Sequence, residues 1–241
     1  MSSIGNNRLI TRLEEISQSF TGLWANSVSL KCGTFFFNPS LPNDIFLDKL
    51  TNITCISDEM LDYALILFAK HGTTPYVYAL NYPKLEEKLL AKNFRLYDVQ
   101  HVLIKVPNSS KISKARMIST DDSMLWSKTF CQAYDCHDSM HSVDEIVKRS
   151  ISFIGYYVDD SISSCVALYE KNSMLGLYCL GTIPNMRKKG HAVSLIDFAL
   201  AEVKKRNLES LMLETYNRDG VLDFYLKLGF KEIYKKNIYT I

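Results

Sequence analysis

The run Arg187-Lys188-Lys189-Gly190-His191-Ala192 carries the residue types that hold a pyrophosphate. Phosphate oxygens need backbone N–H groups without an intrachain partner. The first turn of a helix supplies them, together with the positive end of the helix dipole. Gly190 and Ala192 are small enough to let an anion approach the main chain, and three consecutive cations surround the turn. A basic turn opening a solvated helix has the same composition, so the flanking sequence has to decide.

A cradle of this kind works only if a strand delivers the chain to it and a helix leaves it. Residues 175–183 (LGLYCLGTI) read as a buried strand that stops at Pro184. Beyond the turn, Ala192, Ile196, Ala199 and Val203 recur on one helical face, while Ser194, Asp197, Lys204 and Lys205 fall elsewhere. Residues 208–215 (LESLMLET) then read as a strand, followed by Asn217 and by 222–230 (LDFYLKLGF). Arg-x-x-Gly-x-Ala between an apolar strand and a helix, followed by Tyr225-x-x-x-Gly229-Phe230, resembles the coenzyme segments of the GNAT-type N-acetyltransferases. The resemblance covers about residues 114–241.

The resemblance implies acetyl-CoA as co-substrate and direct attack by a primary amine in a ternary complex. It assigns the pantetheine arm to main-chain groups of Leu180, Gly181 and Thr182, and the pyrophosphate to Arg187, Lys188, Lys189, Gly190, His191 and Ala192. It makes Tyr225 the proton donor to the leaving thiolate; a phenol with pKa near ~10 is protonated at neutral pH and can act so. Gly181 suits close approach of a ligand backbone and equally a strand bulge. The family's asparagine falls one residue nearer the tyrosine, where this chain has Arg218, and Asn217 is the position carried over. Many relatives hold a glutamate on the strand before the cradle, where this chain offers Tyr178 and Cys179. Glu214, on the later strand, is the carboxylate left to act as a base through water, or it is a solvated edge residue. Cys179 reads more simply as core than as a nucleophile.

Deprotonating a lysine-like amine at pH 7 costs about 4.6 kcal/mol, against about 1.4 for an α-amine near ~8. A site without a strong base therefore suits a low-pKa amine, free or at a peptide terminus. A coenzyme-binding sensor or interaction module with little turnover is the alternative function.

With 241 residues, 47% hydrophobic and 22% charged, the chain can hold one large or two modest domains. A net charge of +2 with dispersed basic residues argues against a nucleic-acid partner. No apolar run approaches the ~18 residues of a membrane span, and the first residues lack a signal core, so no membrane partner and a cytoplasmic location are expected. The six cysteines are scattered, and reduced thiols are expected. Cys131, Cys136, His137 and His141 are metal-ligand types, but Cys-x4-Cys-His matches no common zinc spacing, and no metal is expected.

The chain also contains a blunter copy of its own C-terminal half. Asp62-Tyr63-Ala64-Leu65 answers Asp197-Phe198-Ala199-Leu200, and LEEKLLAKNF (85–94) answers VLDFYLKLGF (221–230), at offsets of 135 and 136 residues. In that copy the cradle becomes NITCIS (52–57), Tyr225 becomes Leu89 and Gly229 becomes Asn93. Residues 1–110 are therefore expected to be a degenerate GNAT-like domain without a coenzyme site and without opening helices. Residues 111–241 are expected to be the acetyl-CoA-binding domain. The Pro-, Asn- and Ser-rich stretch 106–114 places the boundary near Ser110. A hairpin around Asp159-Asp160, followed by alternating strands and helices, gives an α/β fold with a mixed, mostly antiparallel sheet.

Overall fold

The computed structural model describes residues 3–55, 57–107 and 113–241; the boundary expected near Ser110 lies outside them. By contacts the chain divides into two compact units, Met1–Val102 with Thr215–Ile241, and Leu103–Glu214. The last segment thus joins the first unit, a division that differs from a cut at 110/111.

The second unit contains β6 (Arg116–Met117), α4 (Ser123–Tyr134), α5 (Met140–Ser150), β7 (Gly155–Val158), β8 (Ser164–Lys171), β9 (Met174–Thr182), α6 (His191–Lys205) and most of β10 (Ser210–Tyr216). Its strands lie in the order β10-β9-β8-β7-β6. Neighbours are antiparallel except β9 and β10, which are parallel and joined through α6. Parallel pairing needs a crossover, and α6 supplies it. Its apolar positions Leu195, Ile196, Ala199, Leu200 and Val203 are buried. The expected hairpin forms, with β7 and β8 paired from Gly155↔Leu168 to Val158↔Cys165.

The first unit contains α1 (Ser3–Trp24), β1 (Asn26–Leu30), β2 (Gly33–Phe37), β3 (Lys49–Thr51), α2 (Asp58–His71), β4 (Tyr76–Ala79), α3 (Pro83–Ala91), most of β5 (Arg95–Lys105), α7 (Leu222–Lys227) and β11 (Lys231–Thr240). Its strand order is β1-β2-β3-β4-β11-β5. The segments that match in sequence fold in the same succession. The parallel pair β3/β4 around α2 repeats β9/β10 around α6, and α3 repeats α7. The chain's last strand pairs antiparallel with β4 and separates it from β5. That pairing explains why Thr215–Ile241 groups with the first unit.

Helix α2 is fixed by its caps and its buried face. The Ser57 side chain accepts from Met60 N at its start, and Gly72 closes it at φ 64°. Met60, Leu61, Ala64, Leu67 and Phe68 fill the core with Phe35, Val77 and Leu85.

Two expectations are corrected in this unit. It does not lack an opening helix, since α1 runs for 22 residues and buries Leu13, Ile16, Phe20 and Trp24 at helical spacing. Nor are all its thiols reduced: Cys32, in the β1–β2 turn, is disulfide-bonded to Cys55.

Candidate functional site

Strand β9 changes character along its length. It pairs with β10 from Met174↔Ser210 to Leu177↔Leu213, and one residue later its register against β8 slips. Between Tyr178↔Ala167 and Gly181↔Cys165, two residues of β9 oppose one of β8, with Cys179 at φ 54°. This is a β-bulge, which bends a strand away from its neighbour and re-aims its main chain. The bulge lies at Cys179, so Gly181 is small for another reason. A Cβ there would stand 2.7 Å from Ala133 Cβ and 2.8 Å from the Tyr134 ring, so helix α4, not a ligand, takes the space. The Tyr134 hydroxyl donates to Leu180 O (3.0 Å), Ser164 Oγ donates to Gly181 O (2.7 Å), and Arg187 Nε donates to Thr182 O (3.1 Å).

From β9 the chain passes a 3-10 turn, Pro184–Met186, and enters α6 through Lys188 at φ 62° and Gly190 at φ 91°. No side chain caps the helix. Its first internal bond is Ser194 N to Gly190 O at 2.9 Å, which leaves the preceding N–H groups for another acceptor. A Cβ on Gly190 would meet nothing within 4 Å, so the turn is open on that side of Gly190. The three cations differ in use. Arg187 braces the turn, donating also to Ala133 O at 2.9 Å; Lys189 Nζ rests 3.5 Å from Met186 Sδ, and Lys188 is exposed. His191 points its Nδ1 at Asp159 Oδ2, 2.7 Å away on the β7–β8 turn. Burial works against the Asp159 charge, but hydrogen bonds from Ser161, Ser164, Ser163 and His191 hold its carboxyl below the usual range.

A bulged strand that delivers an uncapped, glycine-entered helix start leaves backbone N–H groups of the kind that can hold an anion. Residues 121–230 match the model of the acetyltransferase (GNAT) family. This segment is a GNAT domain. Solved structures of the same fold agree over nearly the whole chain. A GCN5-related N-acetyltransferase from Kribbella flavida has a TM-score of 0.67 at 13% identity, covering 95% of this chain and 95% of that one. One from Sphaerobacter thermophilus has a TM-score of 0.62 at 12% identity, covering 97% and 90%. A tandem GNAT protein from the clavulanic acid biosynthesis pathway has a TM-score of 0.51 at 9% identity, covering 80% and 73%. At these identities the likeness is one of fold. No curated protein matches the chain by sequence.

The remaining residues named from the GNAT resemblance lie outside the cradle. Tyr225, on α7 in the first unit, is 8% exposed, and burial followed by the nearby Asp219 charge pushes its hydroxyl pKa up. Gly229 at φ 85° turns the chain so that Phe230 meets the Tyr225 ring edge-on, with centroids 5.8 Å apart. Asn217 Oδ1 lies 2.8 Å from His101 Nε2, and His101 Nδ1 is paired with Glu232. Glu214 is partly buried near the end of β10. Cys131 is buried on α4; hydrogen bonding with Cys136 and burial push its thiol pKa up. Among the described residues, no group of three or more His, Cys, Asp or Glu is arranged to hold a metal ion.

Sequence reasoning missed Asp159, His101, Glu232 and Tyr134 as partners of these residues. Asp159 was legible as a turn former. Nothing in the spacing tied it to His191.

Proposed function

We propose that the protein transfers an acetyl group from acetyl-CoA to a primary amine, on a small molecule or a peptide N-terminus, by direct attack in a ternary complex. The observation that carries this reading is the open start of α6, entered through Gly190 at φ 91° and uncapped by any side chain. The residues present fit the coenzyme. Three first-turn N–H groups and Lys188 offer donors and charge to a pyrophosphate, and β9 is bulged at Cys179–Leu180 just before it pairs with β8 again at Gly181 and Thr182. Arg187 fits less directly, because its guanidinium is spent on bracing carbonyls.

In this reading Tyr225 protonates the departing thiolate. Its raised pKa keeps it a proton donor at neutral pH, and among the described residues its hydroxyl has no hydrogen-bond partner. Asn217 donates its amide to the coenzyme, and Glu214 takes the amine proton through water. Holding both substrates in line supplies much of the rate. A groove of about 610 Å³ beside this turn is lined by Gln132, Asp135, His137, Asn185 and Arg187. Without a strong base the acceptor is an amine of low pKa, such as an α-amine. Cytoplasmic placement belongs to the same reading. No described helix is long and apolar enough to cross a membrane, and the Cys32–Cys55 disulfide is the observation that pulls against a reducing compartment.

The test is thiol release from acetyl-CoA against a panel of amines, comparing native protein with Tyr225→Phe and Gly190→Glu. Turnover lowered in Tyr225→Phe with coenzyme binding intact, and lost with binding in Gly190→Glu, is the expected pattern. Tight coenzyme binding without turnover on any amine transfers the protein to the sensor reading.

A further inference from the structure

We propose that Cys131 and Cys136 form a reversible dithiol–disulfide pair, in which Cys136 is the sulfur that meets a small-molecule disulfide and Cys131 the one that closes the bridge. The turn that ends α4 builds the pair. Asp135 stands at φ 55°, and Cys136 N donates to Cys131 O at 3.0 Å, a 6→1 bond around a left-handed residue. A helix end of this kind brings the side chains of its first and last residues together. Here those are two thiols, hydrogen-bonded to each other and unbridged. A disulfide needs Cα atoms closer than about 7 Å, which a main-chain hydrogen bond between the same two residues enforces. The Cys-x4-Cys spacing that matches no common zinc site is the spacing of this turn. Cys131 is fully buried, whereas Cys136 is partly exposed and stands between Asp135 and His137, which line the groove beside it.

The two positions divide the chemistry. Hydrogen bonding with Cys136, then burial, keeps the Cys131 thiol protonated, so it does not begin an exchange. Cys136 loses its proton to solvent, and its thiolate attacks one sulfur of the incoming disulfide; that S–S bond breaks, and the departing thiolate is protonated by solvent. Cys131 Sγ then attacks Cys136 Sγ in the mixed disulfide, gives its proton to the second departing thiolate and closes the bridge. In sum, two protein thiols are oxidised to one disulfide, and one small-molecule disulfide is reduced to two thiols. Cys165 is the competing partner for Cys131, but it is fully buried on β8 and donates to Cys179 O at 3.6 Å, so no reagent meets it first. The segment between the two sulfurs also braces the entry to α6. Ala133 O accepts from Arg187 Nη2 at 2.9 Å, and the Tyr134 hydroxyl donates to Leu180 O at 3.0 Å. The bridge is therefore a modification of the turn that carries both contacts.

The experiment incubates native protein, Cys131→Ser, Cys136→Ser and Cys165→Ala with oxidised glutathione at about pH 8, where an ordinary thiol is part thiolate. Remaining thiols are alkylated, and tryptic peptides are measured by mass spectrometry. Both cysteines fall in one peptide, 129–148, and Cys165 falls in another. Thermal melts confirm that each variant is folded. Native protein and Cys165→Ala are expected to give peptide 129–148 lighter by two hydrogens and closed to alkylation, and added reductant is expected to reopen it. Cys131→Ser is expected to stop at a glutathione adduct on Cys136, and Cys136→Ser to give neither adduct nor bridge. A further comparison needs no variant. In a glutathione redox buffer the ratio of bridged to open peptide is expected to be at least about tenfold higher in folded protein than in urea, because the turn already holds the two sulfurs together. A ratio no higher in folded protein, a native peptide that stays open, an adduct on Cys131 in Cys136→Ser, or a bridge from Cys131 to Cys165 overturns the inference.

Discussion

Substituting Gly190 separates two demands on the turn before α6, one from the backbone and one from the ligand. The residue sits at φ 91° and ψ −3°, and a Cβ placed there meets nothing within 4 Å. Gly190→Ala therefore meets no clash, and its stability cost is conformational, about 1–2 kcal/mol for an L-residue in the left-handed region. For a chain of this size that lowers Tm by roughly 2–8 °C. Asparagine tolerates this region better, so Gly190→Asn costs less stability, under about 1 kcal/mol. Ligand affinity runs in the opposite order, because the asparagine side chain extends further into the open space where phosphate oxygens have to reach the N–H groups. Coenzyme A binding is expected to fall modestly in Gly190→Ala and by about tenfold or more in Gly190→Asn. Thermal melts without ligand and titrations with coenzyme A read the two orders separately. Native-like affinity in Gly190→Asn refutes the reasoning, since no ligand could then be seated over this turn.

Three further outcomes follow from the packing. Gly181→Ala drives a methyl to within 2.7 Å of Ala133 and 2.8 Å of Tyr134, and overpacking of this kind costs about 1–3 kcal/mol in denaturant unfolding; a loss of a few tenths contradicts the α4 contact. Asp48 is fully buried, and burial, with the Asp44 charge, raises its pKa to about 6, so its stabilising contribution is present below its unfolded value of 3.8 and is lost as pH rises through about 6. Asp48→Asn, whose Oδ1 can still accept from Asn38 N, is expected to gain about 1–3 kcal/mol at pH 7.5 after allowance for solvent screening, and little at pH 4; equal gains at both pH values count against it. Reducing Cys32–Cys55 opens a loop of sequence separation 23 and is expected to lower stability by about 3 kcal/mol, read as a lower Tm with reductant.

The cradle was legible because its signals are local. A strand, a proline, a basic turn with glycine and an amphipathic run follow one another within thirty residues, and each acts through its own backbone. The hairpin at Asp159-Asp160 was legible for the same reason. What stayed hidden depends on partners distant in sequence. The antiparallel pairing of β11 with β4 matches Tyr239 to Val77, a choice that periodicity within either strand does not encode. Gly181 reads in sequence as room for a ligand, and only the placement of α4 shows Ala133 and Tyr134 filling it. His101, Asn217 and Glu232 meet across more than a hundred residues, with no spacing to announce them. The Cys32–Cys55 bond escaped because composition argues about whether disulfides are needed, not about which side chains lie side by side. The opening helix α1 was hidden because the internal sequence match begins only near Leu61, well after that helix.

The central claim is acetyl transfer from a coenzyme held at the start of α6, and free-thiol release from acetyl-CoA in the presence of an α-amine peptide tests it most directly. The account predicts amine-dependent thiol release by native protein that disappears in Gly190→Glu. Saturable binding of acetyl-CoA with no thiol released on any amine contradicts it.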